Sequence, residues 1–255
     1  MQLPDELIDC SVVGLPGVID NASGTLQLSH FYSLENRPLG RELRERLQVP
    51  VVLENDVNLA ALGEQWQGVA RGVDDFVFLS VGTGLGAGLV LGGELHRGRH
   101  GTAGELDYAL VSLELDVDPC ADGVAKLAAR FYAESEGRSA LAPPFDARDV
   151  FAAAHLADQR AQAVVAEVAR RIAIHIWPLG AVADVGLVVL GGGIGANGDL
   201  LLDPIRSELA GWLPYPPRVE ISSLGEAAVL TGALGSACAR RSTTSSRSVV
   251  LLCAR

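Results

Sequence analysis

Apolar residues fall in runs along this chain, and their spacing alternates between strand and helix. Ser11 to Gly17 reads as an interior strand ending on a Pro-Gly turn, and Val49 to Leu53 as a buried strand. Between them, Asn21 to Thr25 is turn chemistry, and Gly24-Thr25-Leu26 restarts the chain as a short strand. Leu39, Leu43 and Leu47 recur at helical spacing opposite arginines and glutamates, which predicts an amphipathic helix from Leu39 to Leu47. A helix from Val57 to about Gly68 follows the second strand, with Asp56 in position to cap it.

From Asp75 the pattern becomes that of hairpin strands, Phe76–Val81 and Leu85–Leu91, the second continuing to Leu95. Cys120–Ser135 and Ala147–Leu156 read as helices separated by the break Pro143-Pro144. A long helix from Gln159 to Trp177 carries Val164, Val165, Val168, Ile172 and Ile176 on one side. Gly186–Leu190 is a buried parallel strand, and Gly191-Gly192-Gly193 turns it toward a helix near Leu200–Leu209. Val219–Ile221 is a short strand and Glu226–Ala239 a closing helix. The tail from Arg240 is rich in Ser, Thr and Arg, then apolar at Val249–Cys253, and is expected to be disordered. Alternating strands and helices around a hairpin predict an α/β protein with mixed sheets.

Composition narrows the function classes. Apolar residues make up 49% of the 255, which excludes general disorder. A net charge of −11 argues against a nucleic-acid surface, which needs clustered Lys and Arg; Lys126 is the only lysine. Cys10, Cys120, Cys238 and Cys253 are far apart and read as free thiols in a reducing compartment. The first residues lack the basic and apolar regions of a signal peptide, and no apolar run has the length of a membrane span. The expected location is the cytoplasm, with no membrane partner.

Candidate chemistry lies between Glu54 and Glu105, in three signals: Glu54-Asn55-Asp56, Gly82-Thr83-Gly84-Leu85-Gly86 and Ala103-Gly104-Glu105. Asn55-Asp56 sits where a strand hands over to a helix, a place suited to meeting a ligand. The glycines of the second signal allow a tight turn whose N–H groups can face a phosphate. Glu105 ends a loop containing Gly98, Gly101 and Gly104, which can hold a side chain toward a pocket. Each has a plainer reading alone: a helix cap, a simple turn, a solvated charge.

Together, in this order, they resemble the ROK family, named for its repressors, open reading frames and sugar kinases. The resemblance is carried by ENDVNLAALGE (Glu54–Glu64), VGTGLGAGLVLGGEL (Val81–Leu95) and GRHGTAGEL (Gly98–Leu106), with VVGLPGVID (Val12–Asp20) and VVLGGGIGANGDLLLDPIR (Val188–Arg206) also fitting. It implies a two-lobed actin-like ATPase (ribonuclease-H-like) fold that binds sugar and nucleotide between the lobes. Residues 1–70 and the closing helix 224–239 would form the N-terminal lobe, incomplete here, and 71–223 the C-terminal lobe, leaving 240–255 as the tail. Asn55, Asp56 and Glu105 align with sugar-binding residues, and Asp56 with the base that takes the proton from the attacking hydroxyl. Gly82, Thr83 and Gly84 align with a phosphate loop, and Gly192 and Gly193 with the turn beside the nucleotide.

Three departures shape the expectation. The family's N-terminal Asp-x-Gly-Gly-Thr phosphate hairpin has no counterpart, so the sequence looks truncated and the edge of Val12–Leu15 unpaired. The family's zinc site is reduced to Cys120, with Tyr108 at the His position and His96 and His100 merely flanking the loop; no zinc is expected. No helix-turn-helix precedes the sugar-binding portion. The wording of Glu54–Glu64 favours the sugar-binding effector portion of a ROK-type transcriptional regulator without its DNA-binding domain. The alternative is a glucokinase-like ROK kinase using ATP and Mg with Asp56 as general base. Either would bind a small-molecule sugar and form a homodimer, with no direct nucleic-acid binding by this chain.

Overall fold

The computed structural model describes residues 8–20, 23–27, 32–106, 118–134, 139, 141–241 and 248–253. In chain order the elements are β1 (Ile8–Leu15), β2 (Val18–Ile19), β3 (Leu26–Gln27), α1 (Leu39–Leu47), β4 (Val51–Asn55) and α2 (Asp56–Gln67). Then come β5 (Phe76–Val81), β6 (Leu85–Leu91), β7 (Glu94–Leu95), α3 (Ala121–Glu134), α4 (Ala147–His155) and α5 (Gln159–Ala183). The chain continues through β8 (Leu187–Gly191), α6 (Gly192–Gly195), α7 (Gly198–Trp212), β9 (Arg218–Ile221), α8 (Ala228–Arg241) and β10 (Ser248–Cys253). The chain forms two compact units: Met1–Asp74 with Ala87–Gly104 and Ser223–Arg255, and Asp75–Gly86 with Glu105–Ser222.

The first unit is built around β1, which lies in the middle of the sheet β10-β1-β4. Alternation along β1 serves both of its faces. Cys10 and Val12 pack with Leu59 of α2 and Ala233 and Ala237 of α8, while Val13 and Leu15 pack with Leu26, Leu39 and Val51. β4 runs parallel to β1 from Ser11↔Val51 to Leu15↔Asn55. It therefore starts and ends two residues later than the apolar run suggests. Pro50 accepts from Ser11 N but has no N–H to donate, so two-way pairing begins at Val51.

Residues 248–253, expected in a disordered tail, form β10 parallel to β1, from Ser11↔Val250 to Gly14↔Cys253. The edge that looked unpaired is thus occupied. A strand with both faces in the core needs partners for its N–H and C=O groups, and an apolar run of β-formers supplies them.

The hairpin from Ala87 to Gly104, expected with the second lobe, belongs to the first unit. Gly88 of β6 lies against Val57 O and the Ala61 side chain of α2, so close that a Cβ there would stand 2.8 Å from each. β6 does not continue to Leu95. Gly92 and Gly93 both take positive φ (59° and 79°), a two-residue hairpin turn that returns β7 antiparallel, Val90 opposite Leu95.

In the second unit β8 lies between β5 and β9, parallel to both, in register Phe76↔Leu187 and Leu187↔Arg218. Every residue of β8 is buried, which matches its unbroken apolar run. α5 packs against α3, α4 and α7, and Val164, Val165, Val168, Ile172 and Ile176 are buried on it, as its periodicity predicts. It runs six residues past Trp177, through Pro178, to Ala183. The proline removes one intrahelical hydrogen bond, and the fully buried Ala169, Ile172, Ala173 and Ile176 just before it hold the helix in register.

Candidate functional site

The turn from β4 into α2 is organised by three consecutive polar residues. Asn55, not Asp56, is the helix cap: its Oδ1 accepts from Asn58 N at 3.0 Å, and its Nδ2 donates to Gly17 O at 3.0 Å. The expectation for Asp56 is corrected by one position because the strand extends through Asn55. Asp56 becomes the first helical residue, half-buried, with its carboxylate accepting from Val57 N at 2.9 Å. Burial raises its pKa above the ordinary aspartate value, opposed by backbone N–H bonds from Val57 and from itself.

Glu54 is 6% exposed, and both its carboxylate oxygens are used. Oε1 accepts from Asn55 N and Asn58 Nδ2, each at 3.0 Å; Oε2 accepts from the Arg97 guanidinium at 2.7 Å. Sequence reasoning placed Glu54 in the motif without a role. The available signal was a carboxylate inside an apolar strand, which requires a partner. Arg97 opens the Gly-rich loop, and two glycines seat that loop on the first unit. Gly101 (φ 84°) lies against Ile19 O, and Gly104 (φ 91°) against Ala87 O, while Ala87 N donates to Gly104 O at 2.8 Å. The half-buried Glu105 follows as the first residue of the chain's return to the second unit.

The second unit contains a cavity of about 710 Å³. Gly82, Thr83 and Gly193 line it, whereas Gly84 and Gly192 do not. Gly84 closes the turn, its carbonyl accepting from Gly82 N at 3.0 Å, so that the Gly82 N–H is not open to a phosphate. Gly82 O accepts from Ala121 N at 2.8 Å, which brings the start of α3 to the turn. Gly192 (φ 80°) packs against the Val81 backbone, where a Cβ would collide.

Sequence reasoning missed the remaining wall: Asp146, Arg148, Phe151 and His155 from α4 and its cap, and Asn197 before α7. The first residues of α3 and α4 and the N-cap of α7 all face this space, so the positive ends of three helix dipoles converge on it. Asp146 Oδ1 caps α4 by accepting from Arg148 N at 2.7 Å. The Arg148 side chain is exposed at the wall. The local signal was Asp146 ahead of a helical run; nothing in the sequence joined it to Gly82 or Asn197.

His155 bridges α4 to α7 at the cavity wall. Nδ1 lies 2.7 Å from Phe151 O and Nε2 2.8 Å from Asp199 Oδ2. Only the protonated ring can donate to both, so the Phe151 carbonyl first, and Asp199 second, raise its pKa above 6.5. The bridge's stabilisation is therefore complete below the ordinary histidine pKa and disappears as pH rises through the raised folded value. The melting-temperature difference between wild type and His155→Gln should be largest near about pH 6 and shrink toward about pH 8. A difference that grew with pH would reverse the assignment.

Among the described residues, no group of three or more His, Cys, Asp or Glu is arranged to hold a metal ion. Tyr108, at the family's zinc-ligand position, lies outside the described residues. Cys10, Cys120 and Cys238 are free thiols. Among the described residues, no helix is long and apolar enough to cross a membrane.

The chain belongs to the ROK family, whose sequence profile matches residues 1–239. It is 32% identical over 244 residues to a glucokinase of Halalkalibacterium halodurans, covering 86% of this chain and 73% of that protein. It is 28% identical over 247 residues to the xylose repressor of Caldicellulosiruptor bescii, covering 87% of this chain but 60% of the repressor. Among solved structures it is similar to a ROK family glucokinase from Streptomyces griseus in complex with glucose and AMPPNP, with a TM-score of 0.72 and 28% identity over 86% of this chain and 78% of that one. The fold is that of the actin-like ATPases, α/β with mixed sheets, as the sequence led us to expect. Glucokinases and xylose repressors both stand among its relatives.

Proposed function

We propose that the protein binds a sugar through Asn55, Asp56 and Glu105, and that Asp56 acts as general base while a sugar hydroxyl receives a phosphoryl group from a nucleotide. The observation that carries this reading is the state of Asp56. Burial raises its pKa, and its described bonds come only from adjacent backbone, which suits a carboxylate that must accept a proton from an alcohol. Asn55 spends one N–H and one lone pair on the fold, leaving one of each for a hydroxyl.

The cavity fits a polyanionic nucleotide: three helix N-termini, the Thr83 hydroxyl and Arg148 line one volume. In the kinase reading ATP supplies the phosphoryl group that the sugar hydroxyl attacks. The Streptomyces griseus enzyme's glucose and AMPPNP make a hexose and an adenine nucleotide the first ligands to try. Arg148→Ala should weaken nucleotide binding about tenfold, the loss of a charge-assisted phosphate contact, with sugar binding unchanged. Calorimetry with AMPPNP measures this, and unaltered nucleotide affinity would remove Arg148 from the site.

The regulator reading is favoured by the xylose repressor's 28% identity across 87% of the chain and by the wording of Glu54–Glu64. In it, the same residues sense a sugar without turnover. A coupled phosphorylation assay and a thermal-shift series on the purified protein separate the two, using a sugar panel with and without Mg-ATP. ATP-dependent turnover establishes the kinase. Sugar-dependent stabilisation without turnover establishes the sensor.

A further inference from the structure

We infer that Arg97 is a positioning residue for sugar recognition: by binding Glu54 it ties the Asn55–Asp56 turn to the loop leading to Glu105. The inference rests on the sugar-binding reading above and adds a residue that none of the motif roles include.

Glu54 is buried at the end of β4, and among the described residues Arg97 is the cation paired with it. Nε and Nη2 of Arg97 both lie 2.7 Å from Glu54 Oε2, while Oε1 holds Asn55 N and the buried Asn58 side chain. A carboxylate removed from water needs both its charge and its lone pairs answered, and the guanidinium answers half of that demand. Asn55 extends the network to Gly17 O, so one continuous set of bonds joins the Pro16-Gly17 turn, the β4–α2 turn and Arg97. Between these groups lies a cavity of only about 30 Å³, lined by Leu53, Glu54, Asn55, Asn58, Arg97 and Gly101, which has room for about one water molecule. The contact therefore has little slack.

Three of the described contacts hold the loop on the first unit. Gly104 is bonded to Ala87 and Gly101 is seated on Ile19, both through backbone; Arg97 supplies the side-chain hold at the start. Asn55 is adjacent to Glu54, and Glu105 is eight residues beyond Arg97. Releasing the pair would detach the Asn55–Asp56 turn from the start of the loop that leads to Glu105. Polar recognition of a rigid pyranose depends on such groups being preorganised.

The test combines calorimetry with glucose, mannose and xylose, steady-state kinetics, and hydrogen exchange of the amides from 98 to 104, on the whole chain. Arg97→Met should raise the sugar Kd and KM about tenfold or more, with a smaller change in kcat, and reduce discrimination between glucose and mannose. Exchange across the loop should accelerate with or without sugar. Arg97→Lys, which keeps the charge but not the fork, should recover part of the affinity.

Glu54→Gln with Arg97→Met removes the uncompensated buried charge. It should restore the melting temperature without restoring sugar affinity, which separates positioning from plain stability. Arg97→Met with unchanged Kd and unchanged exchange overturns the inference while the sugar reading stands. A wild type that binds no sugar, with loop exchange still governed by Arg97, overturns the sugar reading while the tie itself stands.

Discussion

Asp56→Asn is expected to lower sugar phosphorylation by about a thousandfold in kcat, within the range for loss of a general base, while sugar affinity changes only a few fold. The amide oxygen can still accept from Val57 N, so the start of α2 is preserved. An amide can also still bond a hydroxyl, but it cannot take its proton. The wild-type base works only when ionised, and burial raises its pKa, so kcat should fall on the acid side from a higher pH than for an exposed aspartate. That acid limb should be missing from the residual activity of Asp56→Asn. The substitution should also raise the melting temperature at neutral pH, because a carboxylate whose folded pKa is raised opposes folding once ionised. A coupled assay across pH, with calorimetry of the sugar, measures each part. Turnover within tenfold of wild type would dismiss Asp56 as the base.

Gly232→Ala is expected to cost about 3 kcal/mol or more, a large fraction of a marginal domain's stability. α2 and α8 meet backbone to backbone. A Cβ at Gly232 would enter the Leu59 carbonyl, and one at Gly63 would enter the Ala228 carbonyl. Relieving the clash separates the helices and opens the cluster of Cys10, Val12, Leu59, Ala233 and Ala237 behind β1. Helix propensity acts in the opposite direction, favouring alanine by about 1 kcal/mol, so the contact decides the sign. Gly211→Ala is the matched control. It lies exposed in α7, a Cβ there meets nothing within 4 Å, and the same exchange should stabilise by roughly 0.5–1 kcal/mol. Denaturant unfolding of both variants is the measurement. Equal effects would show that the α2–α8 approach is not limiting.

Most elements were legible because their signal is local. α1 and α4 follow from helical spacing, β5 and β8 from short apolar runs, and α5 from its valine and isoleucine stripe. The misreadings share a cause. The continuation of α5 through Pro178 and the pairing of β10 each depend on packing that outweighs the local preference of Pro178 or of a polar tail, and the extension of β4 to Asn55 follows from its pairing with β1. The candidate site divides the same way. Asn55, Asp56, Gly82, Thr83 and Glu105 were marked by contiguous motifs, but the cap is Asn55 because the strand register moved by two residues.

By itself, the sequence determined the family, the α/β class and the three polar or glycine-rich turns, because short-range spacing specifies turns and apolar periodicity specifies faces. Only the tertiary structure decided which residues share a space. It brought Arg97 to Glu54 across 43 positions. It also gathered Gly82, Ala121, Arg148, His155 and Asn197 around one cavity. Such meetings follow from close packing of whole elements, where hydrogen bonds and buried charges must be answered by whatever side chain the fold delivers, and no local pattern along the chain encodes that delivery.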